Sequence, residues 1–305
     1  MGTDLLSEIC RSFVPGLACQ HPGFIGPLCT RCGRDNLECG DPPTRPFSYI
    51  EPRLTLTMPE IDRLRNVNLK TLIRHKKLHL VLDLDNTLVH STLSRNLTLE
   101  ERDHLIKQYA TKGLLSEVCD GVMLVKLRPG AREFLEKASA MFDLSVFTKG
   151  RRDYAEEVAR VLDPDGSRFG SCRWRVMSRE DCFTGKQKSL DVVLAHDRVV
   201  LIVDDNEEVW AHNNKGNLIK IAPYRFFLPP KNLSEAVKSA CRFEDNEAKE
   251  EGEFARVLKT LKEVHDTFYE DSFMIEYGHE VSISVKFLLE RVHNSNVKTR
   301  NAIVN

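Results

Sequence analysis

The chain has 305 residues, 41% of them hydrophobic, enough for one sizeable domain with attachments or for two domains around a packed core. Its 44 basic and 45 acidic residues leave a formal net charge of −1, which argues against a bulk electrostatic grip on nucleic acid, and no direct nucleic-acid partner is expected. No apolar run is long enough to span a bilayer and no signal-peptide pattern opens the sequence, so no membrane partner is expected either; the nine cysteines form no even disulfide framework and read as reduced or metal-bound.

Residues 1–57 read as an irregular N-terminal arm followed by a Pro-rich linker. Cys19 and His21, then Cys29 and Cys32, give the spacing C-x-H…C-x-x-C. Four nitrogen and sulfur ligands suit a closed tetrahedral Zn²⁺ site, and C-x-x-C places two thiolates on one tight turn. Reduced cysteines in a flexible arm are the alternative. Residues 58–77 are predicted helical, with Ile61, Leu64, Val67 and Leu72 on one side and a basic face that is either solvated or a docking surface for an acidic partner.

The stretch LHLVLDLDNTLVHS, residues 78–91, organises the chain. Leu80, Val81 and Leu82 suit a strand buried on both faces of a parallel sheet. Asp83 and Asp85 follow at once, with Thr87 two positions on. Residues two apart in a strand point the same way, so both carboxylates aim into the crevice at the strand's carboxyl end, where open α/β sheets bind ligands. Two adjacent acids repel unless they share a proton or a cation, and a divalent ion with oxygen ligands, most simply Mg²⁺, resolves that repulsion. One carboxylate is then free to attack phosphorus while the other moves a proton.

Thr98 with Glu101 is a capping-box pattern, and Leu99, Leu105, Ile106 and Tyr109 are spaced for a helix. Asp120-Gly121 marks a turn into a strand over 122–127. This inserted helix and hairpin is either a cap over the crevice or plain structure. Arg128-Pro129-Gly130 breaks the strand, and a helix is predicted over 131–141. The second core strand, 142–148, ends in Thr148, whose hydroxyl, with nearby backbone N–H groups, suits phosphate oxygens. A helix over 153–162 and a short strand over 173–177 follow. Lys186 and Lys188 come next, either one able to balance the carboxylates. The most strand-like run, VVLIV, ends in Asp204-Asp205, which suits the other half of a metal site.

These stretches, VLDLDNTLVHS, KLRPGAREFL, LSVFTKG, LDPDGSRFG, MSREDC, KSLDVV, VLIVDDNEEVW and IAPYRFF, resemble the haloacid dehalogenase superfamily. Within it they are similar to the TFIIF-associating phosphatases of the RNA polymerase II C-terminal repeat domain. CQHPGF, CTRCG and EIDRLRN resemble plant-type members. The resemblance implies a three-layer α/β fold with a mainly parallel sheet and an insertion after the first motif, with the catalytic domain over 58–243. It implies Asp83 as nucleophile and Asp85 as general acid and base. Thr148 and Lys188 would hold phosphoryl oxygens, with Arg128 as a further substrate-site cation. Mg²⁺ would sit on Asp83, the Asp85 carbonyl oxygen and Asp204, with Asp205 beside them. It also implies the phosphorylated polymerase tail as substrate, TFIIF as a partner and a nuclear location. Residues 244–305 read as an acidic linker and a C-terminal helix, too short for the BRCT module of the larger relatives. Action on another phosphoprotein or a small phosphate ester, or a catalytically silent phosphopeptide-binding module, are the alternatives. A silent domain has no chemical need for Asp83, Asp85, Lys188 and Asp204 together.

Overall fold

The computed structural model describes residues 19–169, 175–182, 187–227, 252–271 and 284–303. The stretch expected as an irregular arm and linker is instead an antiparallel sheet of four short strands, β1 (Gly23–Ile25), β2 (Leu28–Cys29), β3 (Thr44–Pro46) and β4 (Leu54–Thr57), in the order β2-β1-β4-β3. Strands this short show no sequence period, but Phe24, Phe47, Tyr49, Leu54 and Leu56 are all buried. A Cβ at Gly23 would lie 2.5 Å from the Thr55 carbonyl oxygen, so β1 and β4 approach at a spacing that only glycine permits.

β4 runs directly into α1 (Met58–Arg74), which takes Pro59 in its first turn, where the missing N–H costs nothing. Ile61, Leu64, Leu69 and Leu72 are buried, while Val67, expected inward, is 41% exposed. The basic face is not simply solvated, because the Arg65 guanidinium donates to the carbonyls of Leu190, Asp191 and Val193 at 3.0–3.2 Å.

Next come β5 (Leu78–Leu82), β6 (Val89–Leu93), α2 (Leu99–Tyr109), β7 (Leu115–Val118) and β8 (Met123–Leu127). The last four form the expected insertion, a helix with an antiparallel sheet in the order β6-β8-β7. The Thr98–Glu101 capping box is formed, with Glu101 N–H donating to Thr98 Oγ1 at 3.2 Å and Thr98 N–H to Glu101 Oε2 at 2.8 Å. α3 (Ala131–Met141), β9 (Phe142–Phe147), α4 (Arg152–Leu162), β10 (Val176–Met177), β11 (Val200–Asp204) and β12 (Leu218–Lys220) complete the central layers. Lys186 lies outside the described residues.

The central sheet has five parallel strands, ordered β10-β9-β5-β11-β12. Alternate residues serve opposite faces, as a pleated strand requires. Leu80, Leu82, Leu144, Leu201 and Val203 join one core with α3 and α4. Val81, Phe147, Val200 and Ile202 join a second with Phe47, Tyr49, Ile61 and Trp210. Parallel register brings the carboxyl ends of β5, β9 and β11 side by side, and with them Asp83, Thr148 and Asp204.

The expected C-terminal helix packs into the main core. α5 (Glu253–Asp271) buries Val257, Leu261, Val264 and Phe268, and its Phe254 ring stacks on Phe134 of α3 with centroids 4.6 Å apart. α6 (Val285–Ile303) adds Val285, Leu288 and Leu289 to the same core. Both helices thus share one core with the strands and helices that precede them; most of the acidic stretch lies outside the described residues. No helix among the described residues is long and apolar enough to cross a membrane.

One buried base gives the fold a pH dependence. His79 of β5 hydrogen-bonds Ser145 Oγ through Nε2 at 2.9 Å, and burial, outweighing nearby Asp143, lowers its pKa from 6.5 to about 4. Between those values the unfolded chain holds the proton and the folded chain does not. Stability therefore rises with pH across the window and is lost as pH falls through it, a term of roughly 3 kcal/mol. His79→Gln is expected to flatten the acid side of a urea-midpoint profile between pH 4 and 6.5; an unchanged slope would assign it to other groups.

Candidate active site

Lys188 stands at the centre of the strand tips. Its ammonium donates to Asp83 Oδ1 at 2.5 Å and to Asp204 Oδ2 at 2.7 Å, and it is only 1% exposed. Its backbone pairs beside Trp210, with its N–H on the Val209 carbonyl and its carbonyl accepting from Ala211 N–H. The Trp210 ring lies 5.3 Å from Nζ, and the indole N–H donates to Asp204 Oδ2 at 2.8 Å. A cation against an aromatic face and a charge-assisted hydrogen bond thus fix both partners.

The charges do not cancel. Two buried carboxylates face one ammonium. Burial first, then Asp204 and Asp85, push Asp83 up to about 8 against the pull of Lys188. Burial by itself would lower Lys188, but Asp83 and Asp204 outweigh it and hold the ammonium above its ordinary value. The site therefore favours one more positive charge. Asp83, Asp204 and Asp205 each offer a carboxylate oxygen, all within 4.8 Å of one another. A hard, anionic oxygen set with surplus negative charge fits Mg²⁺. Thr87 ties the two tips, accepting from Asp205 N–H at 3.2 Å and donating to Asp205 Oδ1 at 3.5 Å.

Asp85 has a different environment, and its carboxylate is not in that trio. Oδ1 accepts from Tyr154 Oη at 2.6 Å and Ser91 Oγ at 2.8 Å, and Oδ2 accepts from Thr148 Oγ1 at 3.4 Å. The structure thus brings Asp83, Asp85, Thr148, Lys188, Asp204 and Asp205 to one crevice. Arg128 reaches the turn that carries Asp85 and Thr87. Its Nη1 donates to the Ala222 carbonyl at 2.9 Å and the Thr87 carbonyl at 3.3 Å, and the guanidinium lies over the rings of Tyr224 and Phe254. In these contacts it braces the Asp85–Thr87 turn, with aromatic partners distant in sequence. Cys19, His21, Cys29 and Cys32 also come together, as a separate cluster in the N-terminal sheet that could hold a metal ion.

Sequence reasoning passed over Ser91, Tyr154 and Trp210. Tyr154 reads as an apolar-face residue of α4, which it also is. Its seat depends on Gly150, where a Cβ would lie 2.6 Å from the Tyr154 ring. Gly150→Ala is expected to displace the phenol from Asp85 and lower turnover about tenfold, a loss comparable to one charge-assisted hydrogen bond. Steady-state kinetics would show it, and wild-type rates would mean that the phenol is dispensable.

The chain matches the NLI interacting factor-like phosphatase family over residues 78–266. It is 39% identical over 261 residues to RNA polymerase II C-terminal domain phosphatase-like 4 of Arabidopsis thaliana, covering 83% of this chain and 58% of that protein. To an RNA polymerase II C-terminal domain phosphatase of Caenorhabditis elegans it is 31% identical over 290 residues, 89% of this chain and 42% of the relative. The chain thus spans about half the length of these relatives. The solved structure of Fcp1, an essential RNA polymerase II CTD phosphatase, superposes with a TM-score of 0.58 at 26% identity, covering 75% of this chain and 74% of the other. The architecture is accordingly haloacid-dehalogenase-like, as the sequence implied.

Proposed function

Because the chain belongs to the NLI interacting factor-like phosphatase family, we propose that it is a Mg²⁺-dependent protein phosphoserine phosphatase acting through an aspartyl-phosphate. The observation that carries this reading is the division of labour between two neighbouring carboxylates. Asp83 is held by a buried ammonium beside a hard-cation site, while Asp85 is held by hydroxyls. Asp83 attacks phosphorus, and Asp85 gives the leaving serine oxygen its proton. Asp85 then takes a proton from the water that attacks the aspartyl-phosphate, a more reactive species than the phosphoserine. Lys188 and the Thr148 hydroxyl hold phosphoryl oxygens as charge builds on them. Asp83, Asp204, Asp205 and the Asp85 backbone carbonyl would hold Mg²⁺, whose positive charge offsets repulsion between the anionic nucleophile and the phosphate.

The substrate proposed is the phosphorylated heptad-repeat tail of RNA polymerase II, because the relatives carry that specificity in their names. A nuclear location and a TFIIF contact follow from the same reading. The Cys19, His21, Cys29 and Cys32 cluster is assigned Zn²⁺. The test is phosphate release from a phosphorylated heptad peptide with Mg²⁺ or with EDTA. Release only with Mg²⁺ supports the reading. Metal-dependent release from p-nitrophenyl phosphate, with none from the peptide, would discard the substrate. Inactivity on both would favour a binding module.

A further inference from the structure

The Cys/His cluster has the dimensions of a filled site. Cys19 and Cys29 hold their Sγ atoms 3.9 Å apart, and Cys32 Sγ lies 3.5 Å from His21 Nδ1. Zn–S bonds of about 2.3 Å and Zn–N bonds of about 2.0–2.1 Å at tetrahedral angles give S···S and S···N edges of about 3.8 and 3.5 Å. Backbone N–H groups of His21 and Arg31 donate to the Cys19 and Cys29 sulfurs at 3.4 Å, as outer-shell donors to thiolates do. His21 itself sits at φ +45°, a left-handed conformation uncommon for residues other than glycine. Cys39 is also free but lies outside the ligand group.

The sheet built on this cluster reaches the active site. Pro22, next to His21, accepts through its carbonyl from both the N–H and the hydroxyl of Thr57, at 3.0 and 3.1 Å. From β3, Arg45 pairs with Asp191 at 2.9 Å, and just after it Ser48 Oγ donates to Asp181 at 2.9 Å and Tyr49 Oη to the Val192 carbonyl at 2.7 Å. With Arg65, Arg45 and Tyr49 hold residues 190–193, which follow Lys188 closely in the chain, while Ser48 holds Asp181.

We propose that Cys19, His21, Cys29 and Cys32 bind one structural Zn²⁺ that clasps the N-terminal sheet and, through Arg45 and Tyr49, seats the segment carrying Lys188. The proposal takes Lys188 as an active-site residue from the reading above, but its tests do not use turnover. Elemental analysis of the full chain is expected to give one zinc per molecule, and Co²⁺ exchange the visible absorption of a tetrahedral thiolate site. Cys39→Ser keeps the metal and Cys32→Ser loses it. Removing zinc with a chelator, in the presence of Mg²⁺, is expected to lower the melting temperature by several degrees and to raise amide exchange over 187–194 at least tenfold. Tyr49→Phe, with zinc still bound, raises exchange in the same segment. The chelated wild type serves if Cys32→Ser does not fold. A wild-type chain purified without zinc that does not take it up, or zinc loss from Cys39→Ser, would overturn the site. Zinc removal that leaves exchange over 187–194 unchanged would overturn the coupling. An inactive but zinc-loaded wild type would bear only on the phosphatase reading.

Discussion

Lys188→Met is expected to cost both turnover and stability. Lys188 is the shared counter-charge of Asp83 and Asp204, with one hydrogen bond to each. Methionine fills the space between Phe147 and Trp210 but leaves two buried carboxylates facing each other. Removing one partner of a buried charge group costs about 3–5 kcal/mol, because the remaining charge is uncompensated. The urea midpoint in EDTA should fall accordingly. A divalent cation that binds the folded chain alone stabilises it by mass action. Mg²⁺ should therefore raise the melting temperature of Lys188→Met more than that of wild type. Turnover should fall about 10²–10³-fold, the effect of losing one preorganised charge stabiliser. A variant as stable as wild type in EDTA would mean that the carboxylate pair is not held together by this ammonium.

Asp83→Asn should separate activity from stability in the opposite sense. The amide oxygen can still accept from Lys188, but it cannot displace a phosphoryl leaving group, so turnover should drop by roughly 10⁴-fold or more. The substitution also removes the surplus charge that drives Asp83 up to about 8 and leaves Lys188 with Asp204 as a balanced pair. Stability in EDTA should hold or rise, as often happens when a catalytic strain is relieved. Kinetics and urea melts on the same preparation test both halves. Undiminished hydrolysis would remove Asp83 from the nucleophile's place, and marked destabilisation would contradict the charge argument.

The core of the fold was legible because its signals are local. β5, β9 and β11 are apolar runs ending in chemistry-bearing residues, and α3 and α5 show their buried faces by spacing. Cys19, His21, Cys29 and Cys32 were legible for the same reason, since metal-ligand spacing is written in a short segment. What escaped depends on distant partners. The strands of the N-terminal sheet are too short to carry a period, and their burial comes from packing on residues far along the chain. For Arg128 the resemblance implies a substrate-site cation but says nothing of what holds it. Its carbonyl and aromatic partners come from residues 87, 222, 224 and 254. Tyr154 and Trp210 look like core residues because their rings are. Their polar tips, on Asp85 and Asp204, gain meaning only once β5, β9 and β11 stand side by side.

The central claim is that Asp83 takes the phosphoryl group and that Asp85 governs its release to water. The most direct measurement uses Asp85→Asn, mixed with p-nitrophenyl phosphate and Mg²⁺ and quenched in acid. That substrate's leaving group needs little help from an acid, so the first displacement proceeds while the second stalls. The expected result is one phosphoryl group per chain on the peptide containing Asp83, labile to hydroxylamine as an acyl phosphate is. Release of p-nitrophenol with no phosphoryl group on the chain, or with the group on another residue, would contradict the account.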